Sequence, residues 1–370
     1  GQTLRKRPHM EPRKAVFYTP KGGLLEGERL PFAKQEKTTH VMETVKSQRN
    51  TSVELLRFAF MYLILLIHVY GHGTGLDYER IYLWGADPGT APHLALFSLG
   101  KIGVTGFMFI SGYYGIHATR GKAVDLILTT LFWLLVLTPI GGGFGKLLYL
   151  HPFDGWWFVS AYLFIMCLAP IIEAGIKAVP RQTFRNIVIA MLAYTYIAQA
   201  LWPANSHDAA FLLTVYLAAR YFKLHLRVKI CKRGGVRRLR TVGACSLLLL
   251  LLVPILASMA HLPMKVLDMF EQNNNPLLLV ISCWLVYEAD THSFSSAPLN
   301  RLLQSTLAIY LITDAINVRP ILTQALLPEV MRGTGFAYMF VICIACLLAD
   351  QIRIIIFNCA YKAVEKIKHK

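Results

Sequence analysis

The segment VELLRFAFMYLILLIHVYGHG at residues 53–73 decides the fold class of this chain. It is almost entirely apolar, and about 20 apolar residues in a helix span the hydrocarbon core of a bilayer. Similar stretches recur along the 370 residues, of which 55% are hydrophobic and only 16% charged, against roughly 25% charged in soluble domains. The sequence therefore predicts an all-α, polytopic transmembrane helical bundle. It excludes a disordered chain and a small disulfide-stapled domain.

The hydropathy pattern predicts about ten membrane-spanning helices, and the mean hydropathy of the whole chain is +0.46. The predicted helices cover residues 53–72, 95–116, 124–141, 156–176, 185–202, 210–226, 241–261, 276–289, 302–318 and 335–357. The eighth is short, so a tilted or partly interfacial placement stays open for it.

The distribution of basic residues predicts that the N- and C-termini are cytoplasmic. Loops that follow even-numbered helices are rich in Lys and Arg, whereas the opposite loops are poor in them, and cytoplasmic loops carry such an excess. The basic loops contain Arg120, Lys122, Lys177, Arg181, Arg185 and seven Lys or Arg between 227 and 240. The net charge of +17 is thus explained by membrane topology, and no nucleic-acid partner is expected.

The charge pattern also divides the chain into three parts. Residues 1–52 hold eleven Lys or Arg, several Gly and Pro, and no hydrophobic period, so they are predicted to form a basic, disordered cytoplasmic tail. Residues 53–358 form the predicted membrane domain, and residues 359–370 a second basic cytoplasmic tail. Because Met42 lies just before the first span, the natural start is expected there, with residues 1–41 an extension.

The first predicted helix carries two ionisable residues, Arg57 and His68, that share one face. Their separation of 11 residues is nearly three helical turns, or about 16 Å. Ionisable groups at membrane depth are costly and mark functional sites, and His68 can accept a proton at neutral pH. A snorkelling Arg and a His bonded to a backbone carbonyl remain the alternative. His72 lies one turn further, but no nearby Cys or carboxylate completes a set, so no metal is expected.

Other polar residues lie within the predicted helices. Lys101 is placed in the outer half of the second helix, Ser111 and Tyr113 near its cytoplasmic end, and Asp314 inside the ninth. From its depth, Asp314 is predicted to pair with His68, although the backbone or Lys101 could instead bind it. Glycines at 100, 103, 106 and 112 predict close helix packing or a thin wall beside a tunnel.

Five sequence blocks, in order, resemble those of the acyltransferase 3 family, bacterial integral-membrane O-acyltransferases that modify surface glycans. The first block is at 50–73 and contains the Arg-x10-His spacing of Arg57 and His68. The others are GKIGVTGFMFISGYY at 100–114, DGWWFVSAYLFIMCLAPII at 154–172, NPLLLVISCWLVY at 275–287 and LNRLLQSTLAIYLITDAI at 299–316. One departure is Thr313, where the family often has a His.

The resemblance implies transfer of an acyl group, most often acetyl from acetyl-CoA, to a hydroxyl of a cell-surface or lipid-linked glycan. It also implies location in the bacterial inner membrane, with acyl-CoA as donor substrate and no permanently bound cofactor. In that framework His68 is the expected general base and Asp314 its partner, while acylation of His68 itself stays open. The expected donor-binding residues are Arg57, Ser111, Tyr113, Arg120 and Lys122.

Two other functions remain open at this stage. A polytopic transporter or flippase of glycan precursors would also be a bundle of about ten helices with buried charges. The third hypothesis is a structural or sensory membrane protein derived from an inactive acyltransferase. Transfer of label from acetyl-CoA to a glycan would separate the enzyme from both.

Overall fold

The computed structural model describes residues 49–73, 91–140, 156–198, 208–231, 234–260 and 272–368. Over these ranges every regular element is a helix, so the predicted all-α class is confirmed. The α-helices longer than four residues are α1 Thr51–Gly73, α2 Ala91–Gly100, α3 Ile102–Tyr114, α4 Arg120–Leu137, α5 Trp157–Ala178, α6 Arg181–Ala193, α7 Ala209–Tyr221, α8 Gly235–Met259, α9 Pro276–Thr291, α10 Ala297–Leu303, α11 Thr306–Thr313, α12 Arg319–Met331 and α13 Gly335–Lys368. Short π-helical segments at Tyr194–Ala198 and Phe222–Leu226 extend α6 and α7, and a four-residue α-helix follows at Arg227–Ile230.

Five of the described segments are long and apolar enough to cross a membrane. They are Thr51–Gly71, Pro92–Tyr114, Trp157–Ala178, Gly235–Ala257 and Gly335–Lys362. Their outward faces carry exposed apolar side chains such as Leu248, Val341 and Ile352, which suits contact with lipid rather than water. The chain is therefore a multi-pass membrane protein, while the count of about ten spans remains a prediction.

The prediction of one continuous ninth helix over residues 302–318 is wrong. In its place α10 and α11 are separated by a turn at Gln304 and Ser305, and the helix ends before Asp314. A further helix, α12, occupies a stretch that the sequence analysis leaves as a loop. The hydropathy pattern does not reveal α12 because Glu329, Arg332 and Pro328 lie in or near it, although a Pro at N1 or N2 fits its start.

The structure describes residues on both sides of the two predicted tail boundaries, which stay predictions. The side chain of Asn50 donates to the carbonyl of Ala289 at 3.1 Å and accepts from the Ser52 amide at 3.0 Å. At the other end α13 continues to Lys368, through residues that favour helix. The rest of the N-terminal tail, residues 1–48, lies outside the described part of the chain.

The glycines of α2 and α3 allow these helices to pack closely against α1. A Cβ atom at Gly103 would collide with the carbonyl oxygen of Phe60, and one at Gly106 with the Phe60 ring. At the other end of α3, a Cβ at Gly112 would lie 2.5 Å from the carbonyl oxygen of Tyr216 in α7. The backbone of α3 thus lies in close contact with α1 on one side and α7 on another, as small residues permit in membranes.

Gly103→Ala is expected to destabilise the protein by about 1–3 kcal/mol, the usual cost of adding a methyl group to a filled space. The measurement is the thermal unfolding midpoint in detergent. The matched control is Gly121→Ala in the first turn of α4, where nothing lies within 4 Å of the new Cβ. Gly121→Ala should leave the midpoint unchanged or raise it. Equal midpoints for the two variants would contradict the close packing of α3 on α1.

Candidate active site

The structure brings His68 and Asp314 together in the interior of the bundle. Nε2 of His68 lies 3.5 Å from Oδ1 of Asp314, and the two side chains are 11% and 4% exposed. The distance is within ion-pair range but longer than an ordinary hydrogen bond. A third residue, Arg319, places its Nη1 atom 3.0 Å from the same Oδ1 atom. One carboxylate oxygen therefore faces two side chains that can carry positive charge.

The backbone around Asp314 explains how Arg319 reaches it. Asp314 is the C-cap residue of α11, and its amide donates to the carbonyl of Tyr310 at 3.0 Å. The chain then turns back, because the amides of Val318 and Arg319 both donate to the carbonyl of Ala315, at 2.9 and 2.8 Å. This turn starts α12 and returns Arg319 to the carboxylate. A continuous ninth helix would not have produced the same turn.

Aromatic rings shield the His68–Asp314 pair. The centroid of the Tyr310 ring lies 6.1 Å from that of the His68 ring, in a tilted arrangement. Phe158 of α5 packs edge-on against Tyr310, with centroids 6.2 Å apart. Thr313 is buried and donates to the carbonyl of Ile309 at 2.7 Å. These apolar surroundings strengthen electrostatic interactions within the pair.

A cavity of about 120 Å³ lies between α3, α4, α5 and α11, and two aromatic contacts link it to this pair. Its lining is almost wholly apolar and consists of Phe107, Leu126, Phe158, Val159, Tyr162 and Leu307. Phe158 packs against Tyr310, and the Tyr310 ring in turn lies beside that of His68. Tyr162, also in the lining, lies near Ser111 and interacts electrostatically with Arg57. The cavity is therefore connected to His68 through aromatic rings, and one of its lining residues interacts with Arg57.

Arg57 lies near the start of α1, 11 residues before His68. Its Nη1 atom is 2.5 Å from Oε1 of Glu54, one turn earlier in α1, and its charge acts on Tyr114 and Tyr162. Ser111, another predicted donor-binding residue, donates to the carbonyl of Phe107 at 3.3 Å. Arg57 and Ser111 therefore both lie near Tyr162.

A second carboxylate, Asp290, organises a cationic cluster near Tyr114, and the sequence analysis missed it. It accepts from Tyr113 at 2.7 Å and Tyr114 at 2.8 Å, and lies 3.4 Å from Lys223 Nζ and 2.7 Å from Arg227 Nη2. Asp290 lies beyond the apolar part of α9. Burial raises the pKa of its carboxyl, but the two tyrosine hydrogen bonds and the two cations lower that pKa by more. Asp290 therefore stays ionised near neutral pH.

Four other predicted residues are not brought into these groups. Arg120 and Lys122 are exposed in the first turn of α4, and neither forms an ion pair with another described residue. Lys101 is buried at the junction of α2 and α3, with its ammonium over the Phe97 ring at 4.5 Å. The His72 side chain lies outside what the structure describes. Among the described residues, no three His, Cys, Asp or Glu side chains lie close enough to hold a metal.

No protein-family model, no curated protein and no solved structure matches this chain. The functional assignment therefore depends on the residues themselves.

Proposed function

We propose that the protein is a membrane O-acyltransferase of the acyltransferase 3 type. It would move an acyl group, most often acetyl, from acyl-CoA to a hydroxyl of a cell-surface or lipid-linked glycan. The observation that supports this proposal best is the buried His68–Asp314 pair, which the rings of Tyr310 and Phe158 link to an apolar cavity. The proposed location is the bacterial inner membrane.

The chemistry needs a base, and His68 fits that role. An imidazole whose Nε2–H faces Asp314 carries its lone pair on Nδ1, so Nδ1 takes the proton of the acceptor hydroxyl. The hydroxyl oxygen then attacks the thioester carbonyl carbon, the C–S bond breaks, and the leaving thiolate receives the proton from the imidazolium. Asp314 fixes the tautomer of the ring and stabilises its charged form, as in a Ser-His-Asp triad.

The proposed donor site has two chemically different parts. The CoA phosphates need cations, and Arg57 lies in a region that also contains Lys223 and Arg227. The thioester arm needs a space without water, and the cavity lined by Phe107, Phe158 and Tyr162 supplies one. This order of groups matches a donor that enters from the Arg57 side and meets its acceptor near His68.

The proposed function is tested directly by incubating the purified protein in vesicles with acetyl-CoA labelled in its acetyl group and with membrane glycans. We expect label in the glycan fraction and release of free CoA. A comparison of surface glycans by mass, between a strain that lacks the gene and its parent, should show loss of the acyl increment. A transporter or flippase would transfer no label, and that result would overturn the proposal.

His68→Ala should abolish transfer almost completely, and Asp314→Asn should lower it by about 10²–10⁴-fold, with both proteins folded. The double variant should be hardly worse than His68→Ala alone, because residues that act as one unit are not additive. Initial rates of label transfer measure all three.

His93→Gln is the matched control for these substitutions. His93 of α2 lies against Tyr70, with ring centroids 5.6 Å apart, and has no proposed role in the reaction. Its variant should keep the wild-type rate. Wild-type turnover in folded Asp314→Asn would refute the pairing, and wild-type turnover in His68→Ala would refute the role of the base.

Arg57→Ala should weaken donor binding, with KM for acyl-CoA raised about tenfold or more and a smaller change in kcat. Arg57→Lys should recover only part of the affinity, because an ammonium cannot reproduce the guanidinium fork. Arg185→Ala, which removes an exposed arginine in α6, should leave both constants unchanged. An unchanged donor affinity in Arg57→Ala, measured by binding of CoA, would contradict this assignment.

The proposal that cytosolic acyl-CoA enters at the Arg57 end of the bundle also requires the predicted orientation, with ten spans and both termini in the cytoplasm. Reporter fusions after residues 176 and 232 should read cytoplasmic, and a fusion near residue 205 external, because basic residues surround the first two positions. A reversed pattern would place the Arg57 end outside, away from cytosolic acyl-CoA, and would contradict the proposed donor path.

A further inference from the structure

Asp314 interacts with two basic residues, His68 and Arg319. His68 can lose its positive charge near neutral pH, whereas Arg319 cannot. Arg319 Nη1 lies 3.0 Å from Oδ1 of Asp314, and His68 Nε2 lies 3.5 Å from the same atom. The guanidinium stays protonated throughout the physiological range. The closer of the two partners is thus a permanent positive charge beside the pair that the proposed reaction would protonate.

Several titratable side chains lie near this pair or on helices packed against α1. Tyr310 of α11 has its ring centroid 6.1 Å from that of His68, and Arg319 comes from α12. Further titratable side chains on α1 and on helices packed against it include Tyr62, Tyr70, His93, Lys101, Cys343 and Cys346. The Lys101 ammonium lies 4.5 Å from the centroid of the Phe97 ring, and the His93 ring lies 5.6 Å from that of Tyr70.

We propose that Arg319 is a positioning residue that keeps the His68–Asp314 pair free of an extra proton at neutral pH. Its fixed positive charge disfavours an added proton on either member of the pair, so that Asp314 stays ionised and His68 stays a neutral imidazole able to accept the proton of the acceptor. This inference rests on the proposed function for its kinetic consequence, while the protonation of the pair can be measured without any turnover.

The direction of the effect does not depend on which group holds the proton. With one proton bound, the pair is either a protonated Asp314 beside neutral His68 or an ionised Asp314 beside imidazolium. Both states carry one more positive charge than the proton-free pair, so a fixed cation beside the pair disfavours both. Removal of the Arg319 charge must therefore make the pair bind its proton more tightly.

The first experiment is the pH–rate profile of acyl transfer in Arg319→Gln and Arg319→Lys. In Arg319→Gln the midpoint of the acid limb should move to higher pH by about two units, the effect of a unit charge about 5 Å away at an effective dielectric constant of about 20. The rate at neutral pH should then fall about tenfold or more and recover at high pH. Arg319→Lys keeps the charge and should keep the midpoint within about half a unit.

The second experiment follows the ring nitrogens of His68 by NMR of protein labelled with ¹⁵N-histidine, with no acyl donor present. The His68 signals are assigned by their loss in His68→Gln. Arg319→Gln should raise the titration midpoint of these signals by about two units, as in the rate profile, and Arg319→Lys should not. The matched control is Arg332→Gln, which removes an exposed arginine paired with Glu329 at the other end of α12. This variant should titrate like the wild type.

The outcomes separate the inference from the proposed function. A raised NMR midpoint in a protein that transfers no acyl group would support the inference about the pair and refute the proposed function. An unmoved midpoint in Arg319→Gln would overturn the inference. So would a loss of rate that is equal at every pH and that Arg319→Lys shares, because this pattern means that Arg319 only anchors the start of α12.

Discussion

A carboxylate inside an apolar bundle must find its hydrogen bonds and counter-charges within the protein, because there is no water to supply them. Buried or half-buried carboxylates among the described residues meet this constraint by joining helices, and three of them illustrate it. Asp290 connects α9 to α3 and to the helical segment that follows α7. Asp350 of α13 binds Arg353 at 2.6 Å and accepts from Trp133 of α4 at 3.0 Å. Asp314 joins α1, α11 and α12.

The same constraint explains what could be predicted from the sequence. Apolar stretches of membrane length reveal the helices, and the 11-residue spacing places Arg57 and His68 on one face of α1. The depth of Asp314 correctly predicted its proximity to His68, because an unpaired carboxylate there would be too costly. These predictions need only the period of one helix and the cost of burial.

Other features depend on tertiary contacts, and the sequence did not reveal them. The break at Gln304 and Ser305 and the turn after Asp314 interrupt a run that reads as one helix by hydropathy. The position of Arg319 follows from that turn, so it could not be assigned to the pair beforehand. Asp290 was missed for a related reason: it lies at the end of a predicted helix, and its partners come from two other helices.

The chemistry of the partners distinguishes Asp314 from the other carboxylates. Arg353 and Trp133 are donors that keep their protons at neutral pH, so the described partners of Asp350 do not change their charge there. Asp314 instead faces His68, the one side-chain type whose unperturbed charge changes between pH 5 and 8. A pair that only held helices together would gain nothing from such a partner, since its strength would vary with pH. A buried carboxylate that faces a histidine is better suited to moving a proton than to holding two helices together, and this difference favours the acyl-transfer proposal over a purely structural ion pair.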